Sequence, residues 1–201
     1  MINFEDNIQN NKINKDGGLR QYLRECLGLN DSNIEKIESM KAKDLSKNYQ
    51  TQFEVLNDSR LNDVVIAIIP DDLWKKGSQP SESFAEKQLI SMKKSYFETQ
   101  EKSDEIAWMI HELAHCQSFL NSETVENYQK NMQTAAFDDL EAEYFYPNNL
   151  VEQHAFTKQF EFLKEQGKSR DDIVEMINKY YHKEDLPFFD RLLDDVYGNK
   201  V

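Results

Sequence analysis

Two histidines four residues apart with a glutamate between them, His111-Glu112-Leu113-Ala114-His115, are the residues of this chain whose types and spacing most directly suit chemistry. Four residues of α-helix turn through about 400°, so both imidazoles project from one face, one turn apart, and can grip a single metal ion. Neutral imidazole suits Zn²⁺, and Glu112, one residue after His111, can lie close to the ion without being its ligand. Its carboxylate is then free to act as a general base. The two histidines interrupt an otherwise apolar stretch, where an unpaired buried polar group costs roughly 1–3 kcal/mol. A bound metal accounts for both.

A catalytic zinc takes three protein ligands and keeps one position open for water, so a third side chain is needed. Glu152 and His154 lead. At 100° per residue Glu152 shares a helical face with Ala155, Phe156, Gln159, Phe160 and Leu163, whereas His154 lies about 200° away beside Lys158, Glu161 and Glu165. The apolar face turns inward, which favours Glu152, and the small Ala155 lets this helix approach the HELAH helix closely. Asp138, Asp139, Glu141 and Glu143 trail behind, in a run that reads first as solvated acidic surface and only then as ligands. Cys116 points about 100° away from His115 and reads as a small buried residue, and Trp108 as core.

HELAH followed by Glu152-Gln153-His154-Ala155 resembles the gluzincin class of zinc metallopeptidases, marked by HExxH and a glutamate on a later helix. In size and Glu-to-Ala spacing it is most similar to the small bacterial and phage-associated members. The resemblance spans residues 88–166 and implies a zincin-like core with one zinc on His111, His115 and Glu152. It also implies peptide-bond hydrolysis by an endopeptidase, with a metal-activated water and Glu112 as base. A Tyr or His donor to the oxyanion is implied as well, from among Tyr144, Tyr146, Tyr181 and His182, and a substrate peptide would add to a sheet edge at 88–93. The competing reading is a non-hydrolytic regulatory or interaction protein that keeps the zinc for structure.

The elements that must position these residues follow from periodicity. Leu19, Tyr22, Leu23, Cys26 and Leu27 predict a helix, and Ser32 with Glu35 a capped second one carrying Ile34, Ile37 and Met40. Helix is also expected over 44–60. Val64 to Ile69, closed by Pro70, predicts a buried strand; residues 77–81 predict a loop, and 88–93 a second strand. The HELAH helix opens at Ser103 with acids in its first turn. Further helices are expected to end near Phe137, to run from Pro147 to Gln166 before Gly167, to run from Ser169 to about Tyr181, and to span 184–197. The fold class is therefore α+β and predominantly helical: a short sheet, the active-site helix, a downstream ligand helix, and extra N- and C-terminal helices.

At 201 residues with 12 Phe and 9 Tyr, the chain is expected to form one domain, with an N-terminal helical part (1–60), a catalytic core (61–166) and C-terminal helices (167–201). The first dozen residues look like a loose polar arm. A net charge of −13 argues against nucleic-acid and anionic-membrane partners and leaves a protein or peptide substrate, with oligomeric state open. Two cysteines, Cys26 and Cys116, are too few for a disulfide scaffold. With no basic flank leading into an apolar run at the start, the expected setting is the cytoplasm.

Overall fold

The computed structural model describes residues 18–44, 54–75, 79–99, 102–140 and 146–198. The expected polar arm, most of the expected 44–60 helix, and Glu141, Glu143 and Tyr144 lie outside the described residues. The chain separates into two compact units, Met1–Gln100 and Glu101–Val201. Its class is α+β, with a small four-stranded mixed sheet.

In the first unit, helix α1 (Gly18–Leu27) is followed by the single turn α2 (Asp31–Ile34), capped by Asn30, whose side chain accepts from the Asn33 N–H at 3.0 Å. The cap is thus two residues earlier than Ser32, and the expected helix does not reach Met40. Instead Glu38–Lys41 forms β1, antiparallel to β2 (Val65–Ile69), with Met40 opposite Ile66. The Ile34–Ile37–Met40 spacing fits a helix locally, but pairing with a buried strand satisfies the backbone and buries both Ser39 and Met40.

The strand β2 has all five residues buried, as a β-branched run in a sheet centre should. It pairs in parallel with β4 (Leu89–Lys93), which is edged antiparallel by β3 (Ser81–Phe84), giving the order β1-β2-β4-β3. The strand at 88–93 is therefore present, though flanked on both sides and not at the edge; β3 stands where the loop was expected to end. Leu23, Leu29, Ile34 and Ile37 pack with Val65, Ala67, Ile69 and Leu89 into one apolar cluster. A short helix, α3 (Lys94–Thr99), closes this unit.

The second unit is helical. Its longest element, α4 (Lys102–Asn121), carries HELAH in its middle and has Asp104 and Glu105 in its first turn. Next, α5 (Val125–Met132) is capped by Thr124 and stops five residues short of Phe137. The Phe137 backbone is satisfied instead by the Asn148 side chain, which accepts its N–H and donates to its C=O, both at 3.0 Å.

Helix α6 (Leu150–Glu165) begins at the Asn149 cap, so Pro147 precedes the helix and does not occupy its first turn. Gly167, at φ 83°, ends it; its N–H donates to the Lys164 carbonyl and that of Lys168 to Leu163. A capping box between Ser169 and Asp172 opens α7 (Arg170–Ile177), shorter than the expected helix, and α8 (Leu186–Tyr197) buries Phe188, Phe189, Leu192 and Leu193. Helix α6 is the hub, packing on α4, α5, α7 and α8. Two contacts fix α4 and the α6 end as antiparallel: His154 to Gln117 at 3.0 Å and Lys168 to Asp104 at 3.2 Å. No helix among the described residues is long and apolar enough to cross a membrane.

Candidate metal centre

Two helices supply the site. On α4, His111 and His115 present their rings to the same side, 4.7 Å apart. On α6, Glu152 is the third helical residue, its N–H held with that of Val151 by the Asn149 side chain, each at 3.0 Å. Asn148 ties the preceding chain to Phe137, so the entry to α6 is pinned twice before Glu152 is reached. Ala155, fully buried one turn on, leaves room for α4.

The donor atoms form a near-equilateral triangle. His111 Nε2 and His115 Nε2 are 3.1 Å apart, and Glu152 Oε2 lies 3.5 Å from the first and 3.6 Å from the second. Ligands held at about 2.0–2.1 Å around a tetrahedral ion stand roughly 3.4 Å from one another. The triangle therefore fits a metal ion, and these three are the described residues grouped closely enough to hold one. The fit extends to charge. All three side chains are almost wholly buried, and Glu152 Oε2 has no hydrogen-bond partner, an arrangement whose cost a cation would offset.

Burial sets the protonation of the donors. It lowers the His111 pKa, against the charge of Glu112 and a Gln159 hydrogen bond, and lowers that of His115 to about 4, against the charge of Glu152. Both imidazoles are thus kept neutral, the form that offers a lone pair. The Glu152 carboxyl is pushed up by burial, with His115 opposing. A bound cation would reverse that last shift.

Glu112 lies beside this cluster, 5% exposed and outside the ligand triangle. Its charge reaches His111 and also the hydroxyls of Tyr146 and Tyr181, which are 3.2 Å from each other. Both tyrosines are pushed well up, by burial first, so each keeps its proton. Phe156 lies behind the site, its ring 4.3 Å from His111 and 4.9 Å from Phe189. Trp108 packs against His111 at 5.8 Å.

The other candidates lie elsewhere. His154 Nε2 is engaged with Gln117. Asp139 forms an exposed ion pair with Arg191, and the His182 backbone N–H donates to Asp185 at the head of a turn. Burial raises the Cys116 thiol, which stays neutral. Sequence reasoning passed over Asn148 and Asn149, although two asparagines directly before an apolar helix are a start signal of the usual kind.

No protein-family model, curated protein or solved structure matches the chain.

Proposed function

We propose that this chain is a zinc-dependent peptidase of the gluzincin kind, with His111, His115 and Glu152 as ligands, Glu112 as general base and a protein or peptide as substrate. The observation that carries the proposal is the donor triangle of 3.1, 3.5 and 3.6 Å with a non-ligating buried carboxylate beside it. The zincin-like grouping of residues 61–166 and a cytoplasmic setting belong to the same proposal.

Bound there, Zn²⁺ supplies Lewis acidity, bringing the pKa of water toward neutrality and polarising a carbonyl. Glu112 takes the water proton as the oxygen adds to the carbonyl carbon, and passes it to the nitrogen as the C–N bond breaks. One water is consumed; one carboxylate and one protonated amine are produced. Tyr146 or Tyr181, each still protonated, donates to the oxygen on which charge develops. Tyr146 is 46% exposed and Leu150, the first residue of α6, 38%, so the α6 entry offers exposed apolar surface to an arriving chain.

The test has two stages. Protein purified without chelator should carry one zinc per chain by elemental analysis; absence of stoichiometric metal sinks the proposal. Glu112→Gln should then retain zinc and lose the ability to generate new N termini in a cell lysate. If the variant cleaves as well as the wild type, Glu112 is not the base; if the wild type generates none, the metal is structural and the chain is a zinc-containing regulator.

A further inference from the structure

We propose that Asn148 is a positioning residue for the metal centre: it clasps both polar groups of the Phe137 backbone, fixes where α6 begins and so holds the Glu152 carboxylate against His111 and His115. The inference rests on the metal-site reading for its purpose, but not on the peptidase reading. The three ligands are mounted unequally. His111 and His115 stand in the middle of α4, where the helix's own hydrogen bonds run on both sides of them. Glu152 is in the first turn of α6, where N–H groups have no partner within the helix and the turn depends on what precedes it. The oxygen that faces the imidazoles, Glu152 Oε2, has no hydrogen-bond partner to hold it. The carboxylate therefore follows its main chain.

Two adjacent asparagines divide the work of placing that main chain. Asn149 caps the helix: its Oδ1 accepts from the N–H of Val151 and of Glu152 itself, both at 3.0 Å. A cap shapes the first turn and leaves open where that turn lies. Asn148, 4% exposed, is spent on Phe137 instead: its Oδ1 accepts the Phe137 N–H and its Nδ2 donates to the Phe137 C=O, each at 3.0 Å. One side chain thus serves both backbone groups of a residue eleven positions away, as a hydrogen-bonded strand neighbour would. The Leu150 N–H adds a tie to the Thr134 C=O at 3.1 Å. The far end of the clasp is anchored in turn, because the Phe137 ring packs 5.8 Å from Phe188 of α8 and Phe188 lies 6.2 Å from Phe156 of α6. The start of α6 is thereby fixed to the segment that leaves α5, and two of its three ties belong to Asn148.

If the clasp strengthens metal binding, bound metal must strengthen the clasp, since coupling between two equilibria is reciprocal. The experiment reads both directions in the full chain. Amide hydrogen exchange of the wild type with and without one equivalent of zinc should show the Phe137 N–H slowed about tenfold by the metal, the low end of what an outer partner is worth. The exposed Ser169 N–H, held in the α7 capping box beyond the other end of α6, should be unchanged. Zinc affinity, by competition with a chelating dye, should fall about tenfold in Asn148→Ala, and the d–d absorption of bound Co²⁺ should change. Ser169→Ala, which removes a cap of ordinary worth, should lower the melting temperature and move neither reading. A purely structural Asn148 would lower the melting temperature as well but leave zinc affinity and the cobalt spectrum of the folded protein as in wild type, and that result overturns the proposal. So does a Phe137 N–H that zinc slows no more than that of Ser169, an outcome readable in the wild type even if Asn148→Ala does not fold. A wild type that takes up neither zinc nor cobalt sinks the metal reading and this proposal with it; zinc uptake with no effect at Phe137 sinks this proposal alone.

Discussion

The two units bury different kinds of residue. Among the described residues of Met1–Gln100 the buried polar side chains are three serines, Ser39, Ser81 and Ser91, set among Val, Ile, Leu and Met; in Glu101–Val201 they include Glu105, His111, Glu112, His115, Asn148, Asn149, Glu152 and Gln159. Burial of apolar surface accounts for the first unit by itself, at roughly 25 cal/mol per Å². The second carries ionisable groups that cost stability unless paired or neutralised. A buried cluster of that kind is where a functional site is sought first, so the contrast points to the second unit as the place to test.

The largest effect should come from the buried carboxylate beside the ligand triangle. Glu112→Gln is expected to lower kcat on any cleaved peptide by about 10²–10⁴-fold, the usual worth of a positioned acid–base group, with zinc content and melting temperature near wild type. Retained cleavage would end the distinction between Glu112 and its neighbouring ligands. Next in size, Ile69→Ala in the apolar cluster of the first unit should cost about 2–5 kcal/mol in denaturant unfolding, while the folded fraction binds zinc as before. A loss of zinc affinity in that folded fraction would show that the two units do not divide the work.

A smaller change, but one confined to the site, is expected from paired variants of α6. Glu152→Ala should weaken zinc binding by more than about 100-fold, beyond what loss of a typical outer partner costs, and His154→Ala by less than about threefold. In the metal-free protein the order of stability should invert the order of affinity. Removing a carboxyl that burial already disfavours should leave unfolding unchanged or harder, and a clear destabilisation by Glu152→Ala without metal would argue for a structural role.

What was legible of the candidate site was legible because a helix repeats its faces. That period placed His111 beside His115 and turned Glu152 to the side of Ala155 and Phe156; His154, expected to face outward, is off the ligand triangle but part-buried against Gln117. The buried strand Val65–Ile69 was legible from its β-branched run. Period alone could not find β1, because Ile34, Ile37 and Met40 obey helical spacing and only pairing with β2 decides otherwise. Nor could it end α5, since the backbone of Phe137 turns to an amide eleven residues away. Which tyrosine approaches the metal ligands depends on how the chain returns after α7, and no spacing within 144–182 carries that.

The smallest effect tests the boundary of the site. Asp139 belongs to the acidic run that competed with Glu152, and its exposed ion pair with Arg191 holds its carboxyl below the usual carboxylate range. A carboxyl depressed in the folded state binds fewer protons there than in the unfolded chain, so its contribution is present above the unfolded value near 3.8 and is lost as pH falls below it. Asp139→Asn should therefore lower the melting temperature slightly at neutral pH, with the difference from wild type closing in acid and shrinking in high salt, where exposed pairs are screened. Zinc affinity should not move. A loss of zinc with Asp139→Asn would mean that the acidic run feeds the metal after all, and the ligand set would have to be drawn from the loop before α6 instead of from the helix.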